Sequence, residues 1–341
     1  MNPTLSTSYH GIQLPHPLVV GASPLVDQLD RVRAMEDAGA AAVVMHSLFE
    51  EQILLDNLVE ETFVDAHEDS FGEAISYFPS TCRIAPDADS YLARIARIKE
   101  AVSIPVFASL NGRTDRGWAS HAAEIEQAGA DALELNLYSQ PTSDETPSDE
   151  VESKAADIVR SVCASISIPV AVKISPFYTS LPHFARRLES AGARALVIFN
   201  RFYQPEINIE DLTASSTLQL SDSSELNLRL RWLAILHGRQ ALDLACTGGV
   251  HSHTDVIKAL MSGATTVQMV STLLLNGVSR IGEILQRVAT WMEDREYTSI
   301  DQLRGCMSHS RTPNPEAIER ANYVRMVTSA QLRDRFGPVK W

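Results

Sequence analysis

Ser103-Ile104-Pro105-Val106 recurs as Ser167-Ile168-Pro169-Val170, and Ala128-Gly129-Ala130 recurs as Ala191-Gly192-Ala193 at nearly the same spacing. Two further glycine turns, Ala38-Gly39-Ala40 and Ser262-Gly263-Ala264, flank the pair. In each copy an amphipathic stretch at helical spacing precedes the glycine, and a short apolar run follows it. The glycine supplies a left-handed helix C-cap, and the run reads as a buried strand. A repeat of this kind is one helix–turn–strand unit used several times over.

Working outward gives eight apolar runs: Leu18–Val20, Ala41–Met45, Val106–Leu110, Leu133–Leu137, Val170–Ile174, Ala195–Phe199, Leu242–Cys246 and Thr266–Val270. Helical patterns such as Ser90–Ala101, Trp118–Ala128, Val151–Ser165, Leu181–Ala191, Glu225–Leu236 and Thr254–Ser262 lie between them. Runs that are apolar on both faces and alternate with helices demand a parallel sheet with both faces covered. Eight units over about 250 residues predict an α/β fold of the (β/α)8 TIM-barrel type. The alternative is a doubly wound sheet, but no G-x-G-x-x-G follows the first strand. Extended loops are expected after strand 2 (Glu50–Asp89), strand 4 (Tyr138–Asp149) and strand 6 (Arg201–Ser224). The strand-4 loop is rich in Pro, Ser and acids, which marks it as a candidate lid. The division expected is a barrel domain over 1–310 and a C-terminal extension over 311–341, packed on its outside.

Composition bounds the function. The chain has 341 residues, 45% hydrophobic and 21% charged, which excludes a disordered or fibrous protein. Its 29 Lys and Arg against 43 Asp and Glu give a net charge of −14, which argues against nucleic acid as a partner. A small anionic ligand in a local pocket remains compatible. No run approaches the roughly 18–20 apolar residues of a membrane span. Met1 to Pro17 lacks the pattern of a secretory leader. Cys82, Cys163, Cys246 and Cys306 are scattered without metal or redox spacing, so reduced thiols and a cytoplasmic location are expected. A homodimer is the base-rate assembly.

A barrel of this kind carries its chemistry at the C-terminal ends of its strands. After the eight runs come Gly21-Ala22-Ser23, His46-Ser47, Asn111, Asn136, Lys173, Asn200, Thr247-Gly248-Gly249 and Ser271-Thr272. A mouth so polar is costly to bury unless a polar ligand satisfies it. Gly248-Gly249 and Ser271 follow the last two strands, where free backbone N–H groups suit a phosphate. The blander reading is a tight turn and a helix cap. Lys173 either holds an electron-rich cofactor as a cation or forms a Schiff base as a desolvated amine. Asn136 and Asn200 can donate and accept at once, which suits the edge of a heterocycle. His251 and His253 have no third ligand at suitable spacing, so no metal is expected. They lie near a helix start, with Thr254 or Asp255 as its cap. Cys246 reads as core.

Gly21-Ala22-Ser23-Pro24, Glu134-Leu135-Asn136-Leu137, Val172-Lys173-Ile174-Ser175-Pro176 and Cys246-Thr247-Gly248-Gly249-Val250 resemble the dihydroorotate dehydrogenase family, chiefly its soluble class 1 branch. The similarity covers about residues 10–308 and is closest from Thr247 to Gly305. It implies FMN as cofactor and a place in pyrimidine biosynthesis. It puts Ala22, Ser23 and Ser47 near the ribityl chain and flavin, with Asn136 and Lys173 near the ring; Asn136 and Asn200 match family asparagines around the pyrimidine, and His46, Asn111 and Asn200 complete the expected cofactor-binding set. Gly248, Gly249, Val270 and Ser271 would then hold the phosphate. The family's loop motif Asn-Leu-Ser-Cys-Pro-Asn reads here as Asn136-Leu137-Tyr138-Ser139-Gln140-Pro141, so Ser139 falls on the catalytic base. The departures cluster on the substrate side. His46 replaces a family lysine, Tyr77-Phe78-Pro79-Ser80 replaces a Gly-Leu-Pro-Asn loop, and the asparagine that closes the strand-4 motif is missing. The expectation is an FMN-dependent oxidoreductase acting on a CH–CH group of a small molecule. A Schiff-base lyase or aldolase using Lys173 on a phosphorylated substrate, or a non-catalytic flavin-binding subunit, are the alternatives.

Overall fold

The computed structural model describes residues 3–49, 88–111, 115–138, 141–201, 205–215 and 219–315. Eight parallel strands close into a barrel. They are β1 (Leu18–Val20), β2 (Val43–Phe49), β3 (Val106–Asn111), β4 (Ala132–Asn136), β5 (Val170–Ile174), β6 (Ala195–Ile198), β7 (Asp243–Thr247) and β8 (Thr266–Met269). Each pairs with the next in sequence, and β8 returns to β1 through Gln268 opposite Val19. The fold is a (β/α)8 TIM barrel, as the repeat requires.

Ten α-helices are described around it: α1 (Leu29–Asp37), α2 (Ala88–Ala101), α3 (Asp115–Gln127), α4 (Ser148–Ser165), α5 (Leu181–Ser190), α6 (Leu226–Leu236), α7 (His253–Ser262), α8 (Ser271–Asn276), α9 (Arg280–Asp294) and α10 (Ile300–Leu303). The repeat glycines Gly39, Gly129, Gly192 and Gly263 all have positive φ, the left-handed cap read from the sequence. Two helix ends are tied by one device to the turn that precedes the strand of the next unit. Glu36 of α1 accepts the Ser103 backbone N–H at 2.7 Å, and Glu126 of α3 accepts that of Ser167 at 2.9 Å.

The core has two shells. Leu133 and Leu135 of β4, or Val170, Val172 and Ile174 of β5, pack outward against the helices. The alternate residues face the barrel interior, where period-two geometry must put them. At the N-terminal end that interior is lined by Ala132, Ala171, Ala195 and Ala245. These small residues leave room for a plug the sequence did not announce. A hairpin pairs Thr7–Tyr9 with Ile12–Leu14 and places Tyr9 and Leu14 among them. The His10 ring stands edge-on to Phe107, with centroids 5.0 Å apart.

Toward the mouth the interior turns polar. Glu134, Lys173, Ser109 and Gln268 are all buried there. The runs at β4, β5 and β8 are therefore apolar on one face only, which departs from the expectation for covered parallel strands. A second difference is that β2 continues through His46 to Phe49, with a register shift between Val44 and Ser47. The extra residue of such a bulge keeps both Val44 and Ser47 on the inner face and turns His46 away from it. The connection after β6 carries a small antiparallel pair, Glu206–Asn208 with Thr213–Ser215. Most of the strand-2 loop, Ser139, and the tail beyond residue 315 lie outside the described residues.

Candidate active site

A cavity of about 220 Å³ opens at the C-terminal mouth of the barrel, on the side of β7, β8 and β1. It brings together Ala22, Ser23, Lys173, Gly248, Gly249, Val270 and Ser271, seven of the residues expected from the sequence. Lys173 is held from below. Its Nζ donates to Glu134 Oε1 at 3.2 Å, and Glu134 Oε2 accepts from Gln268 Nε2 at 2.9 Å. All three side chains are buried. A carboxylate can only accept, so it fixes both partners. The Lys173 Nζ is held on one carboxylate oxygen, and the Gln268 amide is locked with its own Oε1 turned away from Glu134. That oxygen is buried with no partner among the described residues, as are Ser23 Oγ and Asn136 Oδ1. Three orphaned polar atoms at one mouth are what a polar ligand would satisfy.

The remaining amides have other partners. Asn136 Nδ2 lies 3.5 Å from Ser47 Oγ, which is itself 2.8 Å from Ser109 Oγ. Asn200 Nδ2 lies 3.5 Å from the Lys173 carbonyl oxygen. Asn136, Asn200, Ser47 and Asn111 stand at strand ends but do not line the cavity. His46 does not line it either. Its Nδ1 donates to Asp27 at 2.7 Å, the Arg94 guanidinium donates to the same oxygen at 2.9 Å, and Tyr91 stands edge-on to the imidazole. The bulge in β2 has moved this ring into the layer between strand and helix.

At the anion corner the backbone differs from the helix-terminus picture. Ser252, rather than Thr254 or Asp255, caps α7, and Asp255 completes a reciprocal capping box. The Asp255 carboxylate also accepts the N–H groups of His251 and Ser252. The amides just before α7, and that of Asp255 in its first turn, are thus taken by side chains. The corner is built instead from the Gly248-Gly249 turn and the start of α8. Gly249 N–H points at Ser221 Oγ at 3.2 Å, and Ser221 Oγ donates to Ser271 Oγ at 2.9 Å. Gly249 must be glycine: its φ is +80°, and a Cβ would lie 2.6 Å from the Leu226 backbone nitrogen. Behind Gly248 lies Arg229, buried, with Nε donating to the Thr247 carbonyl at 3.0 Å. Cys246, one residue earlier, is fully buried, and burial pushes its thiol up to about 12.

Glu134, Gln268, Ser221 and Arg229 were not among the expected site residues. Glu134 and Gln268 carried a usable signal, since each is a polar residue inside an apolar run. Glu134 also lies two before Asn136 and so on the same face of its strand. Arg229, in a helical pattern, carried none.

Fold and mouth together define a (β/α)8 barrel with a buried cation, orphaned amide and hydroxyl atoms and an anion corner at the ends of its strands. The sequence profile of the dihydroorotate dehydrogenase family matches residues 85–292, and the chain belongs to that family of oxidoreductases. It is 26% identical over 305 residues to the catalytic subunit of dihydroorotate dehydrogenase B (NAD(+)) of Thermoplasma acidophilum, covering 88% of this chain and 98% of that one. It is 24% identical to the corresponding subunit of Thermoplasma volcanium, over 88% of this chain and 97% of the other. It is also 21% identical over 338 residues to the NAD-dependent dihydropyrimidine dehydrogenase subunit PreA of Escherichia coli, covering 94% and 80% of the two chains. No described helix is long and apolar enough to cross a membrane.

Proposed function

We propose that this protein binds FMN in the mouth cavity and oxidises or reduces a CH–CH bond of a small dihydropyrimidine-like molecule. The observation that carries this reading is the convergence of Ser23 Oγ, Gln268 Oε1 and the Lys173 ammonium on one cavity that ends in the Gly248-Gly249 turn. These residues fit the cofactor. A flavin ring offers an N–H between two carbonyl oxygens, and the protein offers acceptors on locked amides beside a cationic donor. Gly248, Gly249, Val270 and Ser271 would hold the phosphate, and Ala22 and Ser23 the polyol chain.

When bound, the flavin supplies the hydride acceptor or donor. The protein supplies the rest. Lys173 stabilises negative charge on the ring edge it faces, and Glu134 holds it in place. That pairing favours a cationic contact over a Schiff-base amine, because nucleophilic attack needs a neutral lysine. In this reading Ser139 removes or returns the substrate proton from the loop after β4. His46, held by Nδ1 on Asp27 outside the cavity, takes no part in this reading.

The test is an anaerobic titration of the flavin-loaded protein with dihydroorotate, dihydrouracil and dihydrothymine, followed in the visible spectrum. Bleaching by one of them, reversed by an electron acceptor, supports the reading. A loaded flavin that none of them reduces would leave only a flavin-binding role.

A further inference from the structure

The cavity is cationic in a chain that is strongly anionic. Lys173, Arg201 and Arg229 line it, and no carboxylate is among the described residues that line it, against a net charge of −14 for the whole protein. Two of the three cations have understandable places. Lys173 faces the ring end and is paired with Glu134. Arg201 is half-exposed at the rim and bonds Glu225 Oε1 at 3.0 Å. Arg229 is different. It comes from the first turns of α6, a helix that owes its position to the outer layer, yet its guanidinium runs inward beneath the β7 turn. Nε donates to the Thr247 carbonyl at 3.0 Å, and Nη1 donates to the Glu225 carbonyl at 2.7 Å. The Glu225 carboxylate stands 3.6 Å from Nη1. Nη2 lies along Gly248, so close that a methyl group there would be 2.8 Å from it.

Burying a guanidinium is costly, and bonds to two carbonyl oxygens do not require a charge. A helix residue that only braced the turn could be neutral. The turn it braces is the one that carries the anion corner, with Ser221 and Ser271 hydroxyls on the other side.

We propose that Arg229 makes this pocket select a phosphorylated ligand over the same ligand without its phosphate, acting from behind Gly248 as the buried positive charge of the anion corner. The proposal rests on the FMN reading and adds to it a residue that decides which form of the flavin is kept. Glu225 is its counter-charge, shared with Arg201, and sets how much of the positive charge the pocket feels.

The experiment strips the flavin from the purified protein and titrates it back with FMN and with riboflavin, using quenching of flavin fluorescence. The wild type should prefer FMN. Arg229→Met should weaken FMN binding about 10- to 100-fold, the range of a lost charge-assisted contact. Riboflavin binding should stay within about 3-fold. Arg229→Lys, which keeps the charge but not the planar fork, should fall between. Glu225→Gln, which releases the guanidinium from its carboxylate, should increase the preference for FMN, and it decides the matter if Arg229→Met does not fold. Equal losses for both flavins in Arg229→Met, or a preference unchanged or lowered in Glu225→Gln, would overturn the proposal while leaving the FMN reading standing. A wild type that binds neither flavin would overturn both.

Discussion

Lys173 Nζ lies 3.2 Å from Glu134 Oε1 inside the barrel, and the same carboxylate accepts from Gln268 at 2.9 Å. Breaking a buried pair from one side strands the other charge, at a cost of roughly 3–5 kcal/mol. Lys173→Met should therefore lower both thermal stability and flavin occupancy. The double variant Lys173→Met with Glu134→Gln should regain much of the stability, because no charge is left unpaired, while flavin stays weakly bound and its reduction potential falls. A double variant with normal flavin content and potential would show the pair to be structural alone.

Gly249 tests the anion corner from the backbone side. Alanine there must adopt φ near +80° with its methyl against the Leu226 backbone. The left-handed conformation alone costs about 1–2 kcal/mol, and the backbone contact forces the turn to move. Gly249→Ala should lower the unfolding temperature and cut retained flavin sharply. Full flavin content in a folded Gly249→Ala protein would place the phosphate elsewhere.

Much of the architecture was legible because one physical unit is repeated. The glycine caps at Gly129 and Gly192 and the Ile-Pro-Val strand starts fixed the period, and the strand ends then named seven residues that line one cavity. What stayed hidden depends on geometry beyond periodicity. A one-residue bulge in β2 sends His46 toward Asp27 instead of the mouth. The hairpin carrying Tyr9 and His10 fills the barrel floor, where its apolar face is too short to stand out as a pattern. Arg229 reaches the site from a helix, and nothing in its neighbours distinguishes it from a surface charge.

The barrel floor gives a pH dependence. Burial pulls His10 down to about 4, against an ordinary value near 6.5. A histidine depressed in the folded state binds protons more readily when unfolded, so its contribution is intact above about pH 6.5 and is lost as pH falls toward 4. The most this one group can withdraw is about 3 kcal/mol. Because His10 has a positive φ, which asparagine tolerates, His10→Asn is the suitable variant. Its unfolding temperature should fall less steeply between pH 6.5 and 4.5 than that of the wild type. Parallel profiles would move the acid sensitivity to other groups.

On the substrate side, dihydroorotate should be a poor substrate. The asparagines expected at Ser80 and after Ser139 are absent, and each unpaired group costs about 1–3 kcal/mol, or roughly 5- to 150-fold. With His46 turned to Asp27, the position of the family lysine offers no ammonium to a carboxylate. Flavin reduction by dihydroorotate should need millimolar substrate or fail altogether. Rapid bleaching at micromolar concentration would mean that the site has been rebuilt from other residues.

Whether the mouth cavity holds FMN can be read from the flavin content of the purified protein. Native mass spectrometry, with identification of the released flavin, should find one FMN per chain, lost on Gly249→Ala. A colourless protein that takes up no FMN when it is supplied, or one that retains FMN unchanged when Gly249 is replaced, would contradict the account.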